Sequence, residues 1–438
     1  MMQLMVDNLA HWSGGSWSYR PDVDEILGVS QDTRIIGPGM LYVALVGERF
    51  DGHDYVREAF QKGAVAALVS ESYRGEEPGL LYVQEPVVAL HKIAAAYRQS
   101  WSGSAIGITG SVGKTTVKEL CSVVMGEANS VHKTPGNYNN HIGVPLTLLG
   151  LKEQHHWAVV ELGMNHPGEI KPLAELVKPE IGIITDLGAA HRAHFNSMEE
   201  IVHEKADLLR VLPKNGTAIL MRNEVWYDTL STQTDATIVD VGLDRDAAIQ
   251  GSFEEDVLVV EGYRYCLPQP GEHMARNLLR AIGLGLICGR THEQMMEGLQ
   301  AYVPAPMRWV EHEYEGVCWI NDAYNANPLS MRAALKTLKQ QPARKRYAVL
   351  GEMFELGDTA EKEHIALAQF MEELKLDGWI VLGSFGKLMV TGRSGVAVES
   401  AEEAAEQIKK WVTVGDSVLL KGSRGIHVEQ VMNFFKKD

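Results

Sequence analysis

Cysteine is scarce in this chain of 438 residues, with only 4 in the whole sequence. None of them belongs to a C-x-x-C pair, so the sequence predicts neither a zinc site nor a framework of disulfide bonds. We expect free, buried thiols in a reducing compartment such as the cytoplasm, where structural disulfides seldom form.

Basic residues and long apolar runs are also lacking. The 41 Lys and Arg residues are outnumbered by 57 Asp and Glu residues, which gives a formal net charge of -16. Such an acidic chain is a poor general partner for nucleic acid or anionic membranes, although local backbone dipoles can still bind a phosphate. No apolar stretch approaches the ~20 residues that span a bilayer, and residues 1–10 lack the basic start of a signal peptide. We therefore expect a cytoplasmic protein with no nucleic-acid partner and no stable membrane association.

The composition that remains is that of a globular protein, with 45% hydrophobic and 22% charged residues. The length predicts two to four domains, and strand–helix alternation starts at 105 and restarts after the Pro-rich segment 304–306. We predict an α/β protein of three domains. They are a small mixed α/β domain at 1–103, a central P-loop domain with a mostly parallel sheet at 104–308, and a Rossmann-like open sheet at 309–438. The last helix is expected at 426–436.

The strongest motif is a glycine-rich turn between an apolar strand and a helix, at 107–116. It departs from G-x-x-x-x-G-K-[ST] because Ile108 occupies the first glycine position. Glycines let the backbone approach a polyphosphate closely, and a helix N-terminus attracts the anion. Lys114 suits the β/γ-phosphates, and the Thr115 hydroxyl suits Mg²⁺. The predicted ATP-binding residues are Gly110, Ser111, Val112, Gly113, Lys114, Thr115 and Thr116.

Such loops serve GTPases, transport ATPases, kinases and ligases alike. The absence of N-K-x-D from the sequence argues against guanine recognition. The strand that ends at Glu161 should place its carboxylate near the loop, since the carboxyl ends of parallel strands line the ligand crevice. His191 follows the next strand, which ends at Thr185-Asp186, and Lys205 lies in a helix beyond it. Taken alone, His191 and Lys205 are equally consistent with ordinary surface residues.

Several segments match one enzyme family across essentially all of the chain. They are Ser30–Arg34, Thr109–Thr116, Thr134–Pro145, Glu161–Asn165 and Asn321–Met331. Together they resemble the Mur ligases, the ATP-dependent amino-acid ligases of peptidoglycan precursor synthesis. The segment Asn321–Met331 is similar to that of family members which add D-alanyl-D-alanine. The Asp-Asn-Pro-Arg motif of the diaminopimelate-adding members is absent. Two positions depart from the family pattern: Asp186, where Asn is common, and residues 221–224, which replace Asn-x-Asp-Asp.

The resemblance implies roles for residues that the pattern alone leaves open. Glu161 and His191 would bind Mg²⁺ together with Lys205, carboxylated by CO₂, and these three with Lys114 would be catalytic. Nucleotide contacts would come from Asn277, Arg308 and Asp322. The predicted substrate-binding residues are Ser30, Thr33, Arg34, Asn137, Asn140, Tyr324, Asn325 and Asn327.

The implied reaction uses ATP and Mg²⁺ to join UDP-N-acetylmuramoyl-tripeptide to D-Ala-D-Ala through an acyl phosphate. A monomer is expected, with a hinge near 303–308 and a second one near 101–104. Three alternatives remain open. A related ligase would add diaminopimelate or lysine instead. A P-loop ATPase that drives a conformational switch would leave 29–53 and 321–331 without a role. A binding protein without catalysis would not need the Lys114, Thr115, Glu161, His191 and Lys205 set.

Overall fold

A computed structural model describes residues 4–47, 50–127, 129–190 and 192–435. Within these ranges the chain forms three large sheets and one two-stranded sheet, with helices packed against them. The predicted breaks near 103 and 308 lie between the large sheets. No helix in these ranges has the length and apolarity that a membrane span requires.

The first region contains a five-stranded sheet in the described residues. The elements are β1 (Leu4–Met5), α1 (Val6–Ser13), β2 (Ser16–Trp17), β3 (Glu25–Ile26), β4 (Gly28–Ser30), β5 (Met40–Val43), a 3₁₀ turn (Gly52–Tyr55), α2 (Val56–Gln61), β6 (Ala66–Ser70), β7 (Leu80–Val83) and α3 (Pro86–Ser100). The sheet has the order β2-β7-β6-β5-β4 and is parallel except for the β2–β7 pair. The strands β1 and β3 pair separately and antiparallel.

The central region follows without a gap and begins with the strand that leads into the phosphate loop. Its elements are β8 (Ser104–Thr109), α4 (Lys114–Met125), β9 (Val131–Lys133), α5 (Gly143–Leu149), β10 (Trp157–Glu161), α6 (Ile170–Val177), β11 (Ile181–Ile184), a 3₁₀ turn (Arg192–His194), α7 (Met198–Arg210), β12 (Thr217–Met221), α8 (Tyr227–Ser231), β13 (Thr237–Leu243), β14 (Ile249–Glu254), β15 (Val257–Val260), β16 (Tyr263–Cys266), α9 (Glu272–Ile287) and α10 (His292–Leu299).

The sheet of this region has the order β16-β15-β14-β13-β12-β11-β8-β10-β9. All neighbouring pairs from β14 to β9 are parallel, and only β15 and β16 run antiparallel to their neighbours. The strand β8 therefore lies between β10 and β11, and these three strands are mostly buried and apolar. Because parallel strands share one carboxyl edge, the segments after these three strands meet there.

The last region contains a smaller open sheet. Its elements are β17 (Val310–Tyr314), β18 (Val317–Asn321), α11 (Pro328–Gln340), β19 (Arg346–Gly351), a 3₁₀ turn (Gly357–Thr359), α12 (Ala360–Leu374), β20 (Gly378–Leu382), α13 (Gly386–Val390), β21 (Val396–Val398), α14 (Ala401–Lys409), β22 (Ser417–Lys421) and two 3₁₀ segments (Arg424–Ile426 and Val428–Phe434). The sheet has the order β17-β18-β22-β19-β20-β21 and is parallel except for the β17–β18 hairpin.

The helix expected at 426–436 is not an α-helix where the structure describes it. His427 has a φ of 55°, in the left-handed region, and this conformation separates the two 3₁₀ segments. Val428 and Val431 are buried, and this three-residue spacing places both side chains on the same face of a 3₁₀ helix. The predicted α-helix is therefore wrong for the described residues, because the left-handed conformation of His427 divides the segment into two 3₁₀ segments.

Candidate active site

The glycine-rich turn lies at the shared carboxyl edge of β8, β10 and β11. Gly110 and Gly113 have φ angles of 150° and 90°, in the range that favours glycine. A Cβ atom on Gly110 would lie 1.9 Å from Thr185 Oγ1, and one on Gly113 would lie 2.7 Å from Asn277 Oδ1. Both glycines are therefore required by close packing as well as by the backbone.

Hydrogen bonds hold this turn in an open curve. The Asp186 carbonyl accepts from the N–H groups of Ser111 and Val112, at 2.9 and 3.0 Å. Lys114 Nζ donates to the Gly110 carbonyl at 2.8 Å. The N-terminal N–H groups of α4 follow directly, and a helix N-terminus attracts anions. The arrangement suits a phosphate chain laid along the turn.

Asp186 is itself the centre of a charged cluster beside the turn. Its Oδ1 accepts from Arg276 at 3.0 Å and from Arg280 at 2.5 Å. Burial raises the pKa of Asp186, but the charges of Arg280 and Arg276 outweigh that effect and lower it below the usual range. Glu224 lies 3.8 Å from Arg276, and burial followed by the charge of Asp186 raises its pKa. The two positions that depart from the family pattern thus form part of a single ion-paired cluster.

Glu161, at the end of β10, meets the requirements of a metal ligand. The residue is 2% exposed. Its Oε1 accepts from Asn139 Nδ2 at 2.8 Å, whereas Oε2 is buried with no hydrogen-bond partner. A buried carboxylate oxygen without a partner is costly unless a cation binds it. Thr115 lines the same cleft, so a hydroxyl and a carboxylate oxygen are available for Mg²⁺, which prefers oxygen ligands.

Lys205 is buried in α7, with 1% of its surface exposed. Burial and then the nearby charge of Lys114 lower the pKa of Lys205 well below its ordinary value. The amine is thereby favoured in its neutral form, the form that can react with CO₂. His191, the other predicted metal ligand, lies outside the described residues. Among the residues that are described, no group of three His, Cys, Asp or Glu side chains could hold a metal by itself.

A second pocket adjoins the turn on the side of α9. It is lined by Thr116 and Asn277 from the central region and by Asp322 from the last region. Asp322 Oδ2 accepts from the buried Lys421 Nζ at 2.6 Å, which fixes the end of β18 to the end of β22. Arg308 contributes to both pockets, and its guanidinium lies 4.2 Å from the centre of the Tyr324 ring.

The last region also supplies one wall of the main cleft, opposite Lys114 and Glu161. We call it the C-terminal wall: Tyr324, Asn325, Ala326, Asn327, Ser330, Phe354 and Glu355. Asn327 begins α11, because its Oδ1 accepts from the Ser330 N–H at 2.9 Å in a capping box. Helix capping therefore explains why Asn327 precedes Pro328 in the sequence. Asn327 also lines the cleft.

Two of the predicted substrate-binding residues, Thr33 and Arg34, line a separate pocket of the first region together with Tyr42, Phe50, Tyr55 and their neighbours, whereas Ser30 does not line it. Ser30 is buried, and its hydroxyl accepts from the Asp32 N–H at 2.9 Å. Thr33 donates to Glu58 at 2.9 Å. Arg34 is paired with Asp32 at 2.6 Å, and its side chain remains 86% exposed.

The main cleft brings most of the predicted site together. Its lining includes the predicted residues Ser111, Val112, Gly113, Lys114, Thr115, Asn140, Glu161, Arg308, Tyr324, Asn325 and Asn327. Gly110 forms the base of the turn, and Asn140 Oδ1 accepts from the Gly143 N–H at 2.8 Å at the start of α5. Asn137 is exposed and does not line either pocket.

Sequence reasoning missed several residues that fix this geometry. Lys118 is fully buried and donates to the Thr134 carbonyl at 2.9 Å, which holds the segment carrying Asn139 and Asn140 against α4. Arg280 donates a hydrogen bond to Asp186, although the two residues are 94 positions apart in the sequence. The only signal available for either was a charged residue on the apolar face of a helix, which is a weak indication of burial.

The fold and the site define a nucleotide-dependent enzyme with a cleft between two of its sheets. Three family models match in succession: the Mur ligase family catalytic domain at 25–102, the Mur ligase middle domain at 108–285 and the Mur ligase glutamate ligase domain at 307–424. The chain is 35% identical over 416 residues to a Synechocystis protein named UDP-N-acetylmuramoyl-tripeptide–D-alanyl-D-alanine ligase. That alignment covers 93% of this chain and 91% of the relative.

Solved structures with a similar fold are also Mur ligases. A crystal structure of MurF from Acinetobacter baumannii has a TM-score of 0.90 at 30% identity and covers 99% of this chain and 98% of its own. MurF ligase from Thermotoga maritima in complex with ADP has a TM-score of 0.82 at 26% identity, covering 93% and 96%. The chain belongs to the Mur ligase family. The predicted family, the three-domain α/β fold and the class of ATP-dependent ligase are confirmed.

Proposed function

We propose that this protein joins D-alanyl-D-alanine to UDP-N-acetylmuramoyl-tripeptide and converts ATP to ADP and phosphate, giving the pentapeptide precursor of peptidoglycan. The relatives above carry the name of this activity. One observation carries the proposal physically. Lys114, Thr115 and Glu161 from the central sheet face Tyr324 and Asn325 from the last sheet across a single cleft. A nucleotide held by one sheet and an acceptor held by the other would meet there.

The chemistry follows from the low reactivity of a carboxylate. A carboxylate oxygen of the tripeptide attacks the γ-phosphorus of ATP, and ADP leaves. The amine of the dipeptide then attacks the carbonyl of the acyl phosphate; phosphate leaves and the nitrogen loses a proton. Two anions must approach in the first step, so Lys114 and the N-terminus of α4 would reduce their repulsion. A cleft closed by the C-terminal wall would keep water from the acyl phosphate.

Mg²⁺ would be held by the Thr115 hydroxyl and the Glu161 carboxylate. His191 and a carboxylated Lys205 would complete the ligands near the tripeptide carboxylate. The buried Oε2 of Glu161 and the lowered pKa of the Lys205 amine support this part of the proposal. Divalent ions at that place would neutralise phosphate charge.

Each of the three regions would then bind a different substrate. Residues 1–103 would bind the uridine nucleotide through Ser30, Thr33 and Arg34, and 104–308 would bind ATP. Residues 309–438 would bring the dipeptide. We propose a monomer that works in the cytoplasm, where ATP and nucleotide-linked sugars are available, and that supports cell shape and division through peptidoglycan supply.

The direct test measures ADP release with ATP, Mg²⁺ and the UDP-linked tripeptide, with one acceptor at a time. D-Ala-D-Ala should support turnover, and mass spectrometry should show the pentapeptide. Turnover with meso-diaminopimelate, L-lysine or glycine, but not with the dipeptide, would refute the assignment. ATP hydrolysis without any acceptor would favour a conformational ATPase.

The phosphate loop can be tested with Lys114→Ala. We expect kcat to fall roughly 100- to 1,000-fold or more, the range seen when a preorganised charge-stabilising donor is removed. Lys171→Ala removes an exposed lysine of the same region, with 62% of its side chain accessible, and should leave kcat unchanged. Normal turnover of Lys114→Ala would show that the loop does not bind the reacting phosphates. Lys205→Ala should also lose activity and regain part of it when short carboxylic acids are added.

A further inference from the structure

One amide side chain of the cleft has no role in the reaction as described so far. Asn139 lines the cleft together with Glu161, and its Nδ2 donates to Glu161 Oε1 at 2.8 Å. A carboxylate that binds a metal ion is ionised and only accepts hydrogen bonds, so the nitrogen end of the Asn139 amide must face it. Asn139 therefore occupies one of the two oxygens of the carboxylate to which we assign metal binding.

The second oxygen of Glu161 is left for a cation. Oε2 is buried and has no hydrogen-bond partner among the described residues. The last torsion of a glutamate side chain is broad, so a carboxylate held by nothing else can present either oxygen. The hydrogen bond from Asn139 removes this freedom. It leaves one oriented oxygen, which suits the near-ideal octahedral geometry that Mg²⁺ demands.

The segment that carries Asn139 is itself held against β10 and α4. The Asn139 carbonyl accepts from the Gly163 N–H at 2.8 Å, and a Cβ on Gly163 would lie 2.8 Å from Asn139 Cγ. The Glu161 N–H donates to Thr134 Oγ1 at 2.9 Å. The buried Lys118 of α4 donates to the Thr134 carbonyl at 2.9 Å. Backbone contacts therefore fix the position of the amide relative to the carboxylate.

We propose that Asn139 is a positioning residue whose amide orients the Glu161 carboxylate and makes Oε2 the oxygen presented to Mg²⁺. This inference rests on the proposed function, because it assumes that Glu161 binds the metal. Replacing a side chain that holds a metal ligand in place typically weakens metal binding 10- to 100-fold. The contact between Asn139 and Glu161 should have an effect of this size on metal affinity.

Two substitutions separate a hydrogen-bond donor from a packing residue. Asn139→Leu keeps much of the size and branching of the side chain but has no N–H group. Asn139→Ala leaves space beside Glu161, and because Asn139 is only half-buried, a water molecule can enter there and donate in place of the amide. Loss of the donor should therefore be more severe in Asn139→Leu than in Asn139→Ala, whereas loss of packing would give the opposite order.

The test measures binding of Mn²⁺, as a paramagnetic substitute for Mg²⁺, to the full chain with one equivalent of ADP, by electron paramagnetic resonance. Kd for Mn²⁺ should rise roughly 10- to 100-fold in Asn139→Leu and by a smaller factor in Asn139→Ala. Asn196→Leu is the matched control. Asn196 Nδ2 also donates to a glutamate, Glu200, at 3.1 Å, but on an exposed surface of the same region. Its Kd for Mn²⁺ should equal that of the unchanged protein.

An unchanged Kd for Mn²⁺ in Asn139→Leu, or a larger loss in Asn139→Ala than in Asn139→Leu, would overturn the inference. The proposed metal site would survive either result if Glu161→Gln still weakened Mn²⁺ binding. If Glu161→Gln bound Mn²⁺ as tightly as the unchanged protein, the metal assignment within the proposed function would fail, and the role of Asn139 would fail with it.

Discussion

The two junctions between the three regions are built differently. At the first junction a single hydrophobic cluster runs from the first region into the central one. It includes Ile93 and Trp101 on one side and Val144 and Leu148 on the other. At the second junction the last region keeps its own clusters, which contain buried residues from Trp309 onward. Burial of apolar surface resists separation, so the first junction should open far less readily than the second.

Arg98 illustrates the first junction. It is 6% exposed, and its guanidinium donates to the Val177 carbonyl at 2.9 Å and to the Lys178 carbonyl at 3.1 Å. These carbonyls end α6, where four acceptors lack partners within the helix. The same group reaches Glu180 at 3.4 Å and lies 5.0 Å from the centre of the Trp101 ring. A side chain from α3 of the first region thus caps the C-terminus of α6 in the central region.

Polar contacts lie at the second junction. Gln269 Nε2 donates to the carbonyls of Arg308 and Trp309, at 2.6 and 2.9 Å. The Ala193 N–H donates to the Glu355 carbonyl at 2.9 Å. Such contacts can be exchanged for water at small net cost. Both predicted hinges stay predictions; the shared apolar cluster at the first junction favours motion near 303–308 over motion near 101–104. We infer that the first two regions move as one body and that only the last region opens.

The largest change should follow a substitution at the first junction, and we expect it in the free energy of unfolding. Arg98→Ala would leave the Val177 and Lys178 carbonyls without a donor and remove the packing on Trp101. We expect the free energy of unfolding to fall by about 3 kcal/mol, measured by urea denaturation. KM for ATP should stay within about twofold, because the phosphate loop does not contact this residue.

The matched control at this position is Arg98→Lys, which keeps one charge and part of the stem and should lose less stability. Two separate unfolding transitions in the unchanged protein, one for residues 1–103 alone, would contradict the view that the first two regions are one body.

A substitution at Gly357 would strain the second junction without changing any of the proposed catalytic residues. Gly357 has a φ of 55°, and a Cβ there would lie 3.1 Å from Ala193 Cα. Gly357→Ala should therefore penalise the closed arrangement by about 1 kcal/mol, or roughly fivefold in kcat/KM. Steady-state kinetics would measure it.

Gly392→Ala provides the control for this change. Gly392 has a similar φ of 70° in the same region, with no atom within 4 Å of the added Cβ. Both variants carry the same backbone strain, so only the contact with the central region separates them. Equal kcat/KM values for the two variants would show that closure does not bring these segments together.

The smallest change in stability should follow a substitution in the central region, away from both junctions. Glu224 has a raised pKa, so the folded state binds its proton more tightly than the unfolded state does. Its contribution to stability is full below the unfolded pKa of about 4.3 and is lost as pH rises through the folded value. Glu224→Gln should therefore be as stable as or slightly more stable than the unchanged protein at pH 7, by on the order of 1 kcal/mol or less.

Thermal unfolding of both proteins between pH 4 and pH 8 would measure this difference. The advantage of Glu224→Gln should shrink toward pH 4. An advantage that grows as pH falls would mean that the pKa of Glu224 is lowered, and that Arg276 rather than burial dominates its environment.

The sequence was informative wherever a local pattern carried the signal. Apolar strands that end at Thr109 and Glu161, with a glycine turn and Lys114 between strand and helix, predict a parallel sheet with a phosphate site at its carboxyl edge. The structure places Lys114, Thr115 and Glu161 on one cleft there. Only backbone periodicity and known loop chemistry were needed, since each feature spans about ten residues.

The contacts that decide how the regions fit together were not predictable in this way. Arg98 and Val177 are 79 positions apart, and Arg280 and Asp186 are 94 apart. Nothing near Arg98 in the sequence distinguishes it from an exposed helix residue. The place of Glu355 on the cleft was also missed, because neither its left-handed φ nor that place has a local pattern in the sequence.

We propose that the tripeptide carboxylate is activated as an acyl phosphate in the cleft between Lys114 and the C-terminal wall. The most direct measurement uses tripeptide labelled with ¹⁸O in both oxygens of its terminal carboxylate, with ATP and D-Ala-D-Ala, and follows the label by mass spectrometry. If an acyl phosphate forms, each phosphate released should carry one ¹⁸O, and the other should be retained in the new amide. Phosphate without ¹⁸O, formed together with the ligated product, would contradict it.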